Sequence, residues 1–260
     1  MNDNNRLDIK DFRSGLSVVI ITHNEEENIK DCLESVKWAD EVIVVDSESD
    51  DATARICKSY AVNFYNEPWK GFPAQKNSAI AKATKKWILS LDADERVTPL
   101  LEKEIKELIQ KDGSKDGYFI ARKNYFLGRW VRYCGWYPDY NLRLFKNGKG
   151  LFRNREVHEG VDLDGSKGYL KHPMEHYTYR SISDYLQRLD LYSTLAAREL
   201  LKEKKVYGIH HILFRPLFTF FSMFILRTGF LEGYYGFMLS VLYAFYTFSK
   251  YIKLRELQQK

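Results

Sequence analysis

The chain has little cysteine, and what it has follows no pattern. Cys32, Cys57 and Cys134 are odd in number and share no metal-ligand spacing. This argues against a disulfide framework and for a reducing compartment. The opening residues Met1-Asn2-Asp3-Asn4-Asn5 are polar, with no apolar h-region. No secretory signal is read there, and a cytoplasmic protein is expected. The first strand-to-helix turn, Thr22-His23-Asn24-Glu25, lacks the G-x-G-x-x-G fingerprint, and no Walker A sequence occurs. An ordinary NAD enzyme and a P-loop ATPase are thereby disfavoured. Two late apolar runs, 216–226 and 233–249, both fall short of the roughly twenty uninterrupted residues that a spanning helix needs.

What is present is an ordinary globular composition in 260 residues, 45% hydrophobic and 29% charged, with a high aromatic content of 15%. That length buries a full core, as one large domain or one domain with an appendage. The net charge of +5 is unevenly placed. From Leu201 onward nine Lys or Arg stand against three Glu, so the positive excess belongs to the C-terminal segment and suits an anionic surface.

The central stretch is Leu89-Ser90-Leu91-Asp92-Ala93-Asp94-Glu95. The apolar run Trp87-Ile88-Leu89-Ser90-Leu91 ends abruptly in carboxylates. It reads as a buried strand delivering Asp92 and Asp94 to the carboxyl edge of a sheet, where open α/β sheets bind ligands. Residues two apart on a strand face the same side, so both carboxylates are able to meet one hard cation. A strand end running into a helix cap is the plainer alternative. Upstream, Leu16 to Ile21 and Glu41 to Val45 read as strands, each followed by a helix, with a short strand near Val62 to Tyr65. A helix follows at about 74–83, and another after Pro99 runs to about Gln110. Alternation at this spacing predicts an α/β fold with a mostly parallel sheet. Residues 122–179 are dense in Arg, aromatic and Gly residues and read as the acceptor side of a site. An amphipathic helix is expected from Ile182 to about Lys204, with Ile182, Leu186, Leu189, Leu195 and Leu200 near one stripe.

Three polar clusters thus sit at successive strand ends: Thr22-His23-Asn24-Glu25, Asp46-Ser47-Glu48-Ser49-Asp50-Asp51 and Asp92-Ala93-Asp94. With Gly135-Trp136-Tyr137-Pro138-Asp139, Leu142-Arg143-Leu144-Phe145 and Arg155-Glu156-Val157-His158-Glu159, the sequence resembles an inverting family 2 glycosyltransferase of the GT-A fold. It resembles in particular the bacterial lipopolysaccharide inner-core β-glucosyltransferases, which share the basic aromatic tail. The resemblance implies a catalytic domain over 1–180, with a nucleotide-sugar half at about 14–96 and an acceptor half at about 97–180. A helical extension would then occupy 181–260.

The resemblance also implies roles. Thr22, Asn24, Glu25 and Asp46 correspond to the nucleotide pocket, with Asp46 receiving the uracil or ribose. Lys76 stands where many relatives have Arg, and supplies charge near the pyrophosphate without a bidentate fork. Asp92 corresponds to the donor-contacting member of the metal motif and Asp94 to the ligand of a divalent cation, Mg²⁺ or Mn²⁺. Such an ion neutralises the charge that builds on a departing diphosphate, with nearby Lys or Arg assisting. Glu159 is the expected general base, Asp139 the runner-up, and His158 a base or third metal ligand. A His-Glu pair in a loop is otherwise simply solvated. Trp136 and Tyr137 are candidates to stack on a sugar, and Arg129, Arg132, Arg143, Arg153 and Arg155 to meet acceptor phosphates or carboxylates.

The expected reaction moves a hexose, glucose from UDP-glucose, onto a lipopolysaccharide core acceptor. The alternatives are another lipid-linked or polysaccharide acceptor, or an inactive membrane-associated scaffold of the same fold. The basic residues flanking the late apolar runs, with Tyr234, Tyr235, Tyr243, Tyr246 and Tyr251, suit one or two helices lying in the cytoplasmic membrane interface. Packing on the catalytic domain or on a second subunit would use the same surface. A nucleic-acid partner ranks last, because the basic residues border apolar runs.

Overall fold

The structure is a computed structural model and describes residues 12–153, 160–202 and 207–259. Arg155, His158 and Glu159, three of the expected site residues, lie outside the described residues. In chain order the strands are β1 (Arg13–Thr22), β2 (Glu41–Asp46), β3 (Asn63–Asn66), β4 (Lys85–Asp92), β5 (Glu95–Arg96) and β6 (Gly117–Phe126). They continue as β7 (Arg129–Trp130), β8 (Asp139–Lys146), β9 (Gly150–Phe152), β10 (Val161–Leu163), β11 (Lys167–Tyr169) and β12 (Met174–Tyr179). The helices are α1 (Ile29–Val36), α2 (Thr53–Lys58), α3 (Phe72–Ala81), α4 (Pro99–Gln110), α5 (Ile182–Lys202), α6 (Ile209–Phe221) and α7 (Tyr234–Gln259). The described residues divide into two compact units, one from 12–121, 140–153 and 160–174, the other from 122–139, 175–202 and 207–259.

The first unit is the mixed α/β part, and six of its strands follow the order β3-β2-β1-β4-β8-β6. β1 pairs in parallel with both β2 and β4, whereas β8 runs antiparallel to β4. Alternate side chains of each central strand enter different cores. Val18 and Ile20 join Val44, Leu89 and Leu91 on one face, while Val19 and Ile21 join Ile43, Val45 and Ile88 on the other. Burial on both faces explains the nearly unbroken apolar runs. Register aligns the carboxyl ends, with Thr22 beside Asp46 and Ile21 beside Asp92. At the usual strand spacing of about 4.8 Å, the three polar clusters of the sequence share one edge.

Local signals set the helix ends. Thr98 Oγ1 accepts from the Leu101 amide and Pro99 opens α4, a capped start that matches the expected span. Pro73 in the first turn sets the start of α3 at Phe72, two residues before the expected one. α1 begins at Ile29 rather than among the acidic residues, because Glu25 to Asn28 form a turn in which the Asn28 and Ile29 amides donate to the Glu25 carbonyl.

The second unit is mainly helical. α5 was expected to bury a leucine stripe, but Leu186 is exposed. Leu189 of that stripe is buried, Ile182 and Leu200 are half-buried against the cores, and Tyr185, Ser193, Ala196 and Ala197 complete the buried face. Small residues let α7 approach there, and Lys253 of α7 donates to the Asp190 carbonyl and carboxylate and to Ser193 and Thr194 hydroxyls. α6 and α7 run antiparallel, shown by contacts of His211 with Tyr251, Thr219 with Thr247 and Phe224 with Phe237. Buried Glu232 fastens the loop before them by accepting from the amides of Arg132 and Tyr133.

Candidate active site

In the first unit, the strand ends are tied together by their own polar side chains. Asn24 takes the left-handed φ of 54° that asparagine tolerates. Its amide donates to Ser49 Oγ, and its Oδ1 accepts from the Asp50 amide. The Glu25 amide donates to Thr53 Oγ1, and its carboxylate accepts from Asn28. Asp46, buried, accepts from the Ser49 amide at 2.9 Å and hydroxyl at 2.5 Å. These three expected nucleotide contacts therefore also brace the loops after β1 and β2.

Among the described residues, Thr22 Oγ1 and Ser47 Oγ at these strand ends and both amide atoms of Gln75 are buried polar atoms with no hydrogen-bond partner. Each such atom costs roughly 1–3 kcal/mol unless a ligand or water supplies its partner. Gln75 is fully buried and precedes Lys76 on α3. Sequence reasoning passed over it, since an amide in a helix carries no motif. Its burial is what singles it out.

Around the carboxylate pair the structure builds a charge network. Lys76 Nζ lies 2.8 Å from Asp92 Oδ1 and 5.0 Å from the centre of the Phe152 ring. Arg143 Nη2 reaches both Asp92 Oδ2 and Glu95 Oε1 at 2.5 Å. The other oxygen of Glu95 accepts from the Asp92 amide, and Arg96 donates to the carbonyls of Ala93 and Glu95. Burial on its own would raise the Asp92 carboxyl, but Arg143 and Lys76 outweigh it and hold Asp92 well below the usual carboxylate range. Arg143, expected at an acceptor, is placed instead among these carboxylates at 4% exposure. Glu95, quoted in the central stretch without a role, is its second anchor. Asp94, at 9% exposure, completes the turn.

No group of three or more His, Cys, Asp or Glu converges among the described residues. The donors present nevertheless fit a hard cation of the kind held by one or two carboxylates together with substrate phosphates. Asp92 is shared with two cationic side chains, Lys76 and Arg143.

The second unit holds a separate polar cavity of about 330 Å³. Asp139 Oδ2 accepts from Arg122 Nε at 2.9 Å, Arg122 Nη2 at 2.6 Å and Asn124 Nδ2 at 3.1 Å. Three donors thus converge on one oxygen of Asp139. Asn124 Nδ2 also donates to the Trp136 carbonyl, so its Oδ1 must accept, and His176 Nδ1 at 2.7 Å carries the proton. Neither Asn124 nor His176 was expected from sequence, where single polar residues in a strand are silent. Trp136 is 7% exposed and edge-on to Phe126, and Tyr137 packs edge-on against Trp130.

A mostly parallel sheet flanked by helices, with carboxylates gathered at the carboxyl edge beside unsatisfied polar groups, defines a GT-A-type glycosyltransferase fold. The glycosyl transferase family 2 profile matches residues 17–178. The chain is 31% identical over 251 residues to the lipopolysaccharide core biosynthesis glycosyltransferase LpsC of Rhizobium meliloti, covering 90% of this chain and 91% of that one. It is 34% identical to an uncharacterized glycosyltransferase of Rickettsia bellii, covering 93% and 86%. Among solved structures, mannosyltransferase PcManGT from Pyrobaculum calidifontis, in complex with GDP-Man and Mn²⁺, matches at a TM-score of 0.53 and 16% identity, covering 94% and 88%. The S. aureus TarS fragment in complex with UDP-GlcNAc matches at 0.50 and 15%, covering 94% and 91%. The chain belongs to glycosyl transferase family 2 and is a glycosyltransferase.

Proposed function

We propose that the protein is an inverting, metal-assisted hexosyltransferase that moves glucose from UDP-glucose onto a lipopolysaccharide inner-core acceptor at the cytoplasmic face of a membrane. The observation that carries the donor half is the Lys76–Asp92–Arg143–Glu95 network beside Asp94. The acceptor class rests on the name of the Rhizobium relative, similar over nearly its whole length. A divalent cation bound through Asp94 and Asp92 would neutralise the leaving diphosphate. Thr22, Asn24, Glu25 and Asp46 line the nucleotide pocket in this reading, Gln75 donates and accepts within it, and Lys76 exchanges Asp92 for a donor phosphate. Arg143 positions Asp92 and touches no substrate. The acceptor oxygen forms its bond to C1 as the bond from C1 to the phosphate oxygen breaks. The electron pair leaves with the diphosphate, and Glu159 takes the hydroxyl proton.

Membrane placement is supported by the outer faces of α6 and α7. On α7, Tyr234, Phe237, Val241, Phe245, Phe248 and Ile252 are exposed at spacings of three and four, which is one helical stripe. Its opposite face is buried. On α6 no residue is buried. The segment Ile209–Leu226 is long and apolar enough to cross a membrane by length and composition. Arg215 and Pro216 within it, and a partner helix along one side, favour lying in the interface.

The test is nucleoside diphosphate release from a panel of sugar nucleotides with Mg²⁺, Mn²⁺ or EDTA, comparing the parent protein with Asp94→Ala. Metal-dependent release from UDP-glucose, lowered at least about a thousandfold in the variant, is expected. Release from no donor, even with lipopolysaccharide precursors added, would establish the scaffold instead.

A further inference from the structure

The cavity around Asp139 and His176 does not end at its own walls. A second cavity of about 270 Å³ shares Gly135, Trp136 and Tyr243 with it and adds Phe218, Thr219 and Arg227. A third, of about 460 Å³, shares Phe218 with the second and is walled by His210, His211, Phe214 and Arg215. All three lie within the second unit, each sharing lining residues with the next, and taken together they outline a groove along α6 and α7. Its character changes along its length, from the hydrogen-bonded Arg122, Asn124, Asp139 and His176 at one end to phenylalanine rings at the other.

Two cations, Arg227 and Arg215, line these cavities, and Lys250 stands beside Arg215. Arg227 lies over Gly135, where an added Cβ would meet its Nη1 at 2.5 Å, so glycine makes the room that the guanidinium occupies. Arg215 and Lys250 both stand over the Tyr251 ring, at 5.7 and 5.1 Å. Burial and the neighbouring Arg215 push Lys250 below the ordinary lysine value. Among the described residues, none of these three cations is in an ion pair. Like charges held together against apolar walls call for an anion.

We propose that this groove is the binding site for an amphiphilic, phosphate-bearing acceptor. Its hydrophilic end lies in the cavity of Arg122, Asp139 and His176, its phosphate meets Arg227 or the Arg215–Lys250 pair, and its hydrocarbon lies against Phe214 and Phe218. The inference deepens the lipid-anchored acceptor reading and rests on it. It also separates two apolar surfaces: the groove grips one lipid-linked molecule, whereas the outer stripe of α7 meets bulk lipid.

The experiment uses the full chain and dodecyl phosphate below its micellar concentration, with inorganic phosphate and dodecyl maltoside as comparators, read by isothermal titration. Dodecyl phosphate is expected to bind about a hundredfold more tightly than inorganic phosphate, since burying even a few methylenes gives that factor. Phe218→Glu and Arg227→Gln should each weaken it about tenfold, and Arg227→Lys should retain most of the affinity. Phe245→Ser, on the outer stripe, should leave it within about twofold. Near-ultraviolet circular dichroism confirms that each variant is folded. Equal binding of dodecyl phosphate and inorganic phosphate would overturn the proposal. So would tight binding of dodecyl maltoside, or affinity sensitive to Phe245→Ser but not to Phe218→Glu and Arg227→Gln, which would place the amphiphile on the outer face. Diphosphate release, measured separately without any acceptor, shows whether the transferase reading stands when the groove proposal fails.

Discussion

The two units treat the same kinds of residue in opposite ways. In the first, strand residues such as Val18, Ile20, Val44 and Leu89 are fully buried, and its most important charges are buried with them, each matched to a partner. In the second, Phe214, Leu217, Phe218, Phe237 and Phe245 stand at roughly half to two-thirds exposure. Arg215, Arg227 and Lys250 have no carboxylate among the described residues. Large exposed apolar patches on a soluble surface mark an interaction site. The first unit is therefore complete in its own contacts apart from a few polar atoms, and the second is shaped for contacts outside itself.

The sharpest way to break this contrast is Arg143→Met. It takes the guanidinium away from Glu95, at 0% exposure, and removes one of two cations from Asp92. Breaking a buried pair on one side costs about 3–5 kcal/mol, to be read from urea denaturation. An effect under about 1 kcal/mol would mean that the network is relaxed by water. Glu232→Ala asks whether the second unit obeys the same rule where it is buried. Two backbone amides lose their acceptor, and a loss of roughly 1–3 kcal/mol is expected in thermal unfolding, with membrane association of the folded protein retained. Gln75→Leu should go the other way on stability, unchanged or slightly raised, because it removes two unsatisfied buried atoms. The same change should raise the donor KM about tenfold, the worth of one good hydrogen-bonded contact. An unchanged KM would remove Gln75 from the donor pocket.

The smallest effect is one of pH. Glu67 is lowered to about 2 by its bonds to Lys82, Lys70 and Ser78. Its carboxyl is depressed in the folded chain, so between the ordinary glutamate value and about 2 the unfolded chain binds more protons. Its contribution is thus fully present above the ordinary value and is lost as pH falls through that window. Asp92, also depressed, acts with the same sign. Glu67→Gln should flatten part of the acid slope in denaturation measured between those limits, and an unchanged slope would exclude the Lys82 contact as its source.

Much of the first unit was legible in the sequence. Asp46 and Asp92 are found where apolar runs stop, and a strand buried on both faces has to stop where it meets solvent. The α4 boundaries were legible because Thr98 and Pro99 act through covalent geometry and one local bond. The buried face of α5 was legible only in part: Leu189 lies on it as expected and Leu186 does not, because leucine marks a packing face only where the neighbouring helix leaves room. α7 selected Ser193, Ala196 and Ala197 instead. His176 and Asn124 lie 52 residues apart, and their pairing needs the strands in place.

By itself, then, the sequence determined the strand-helix alternation, the carboxylates at the strand ends and the apolar, basic character of the tail, all carried by near neighbours in the chain. Tertiary structure decided which charges meet. It gave Arg143 to Asp92 and Glu95 rather than to solvent, left Gln75 buried without a partner, and set Arg215 and Lys250 over one ring. The physical reason is range. Propensity and periodicity act over a few residues, whereas a buried charge is stable only where the fold brings a distant partner within about 3 Å or leaves the place for a ligand to supply one.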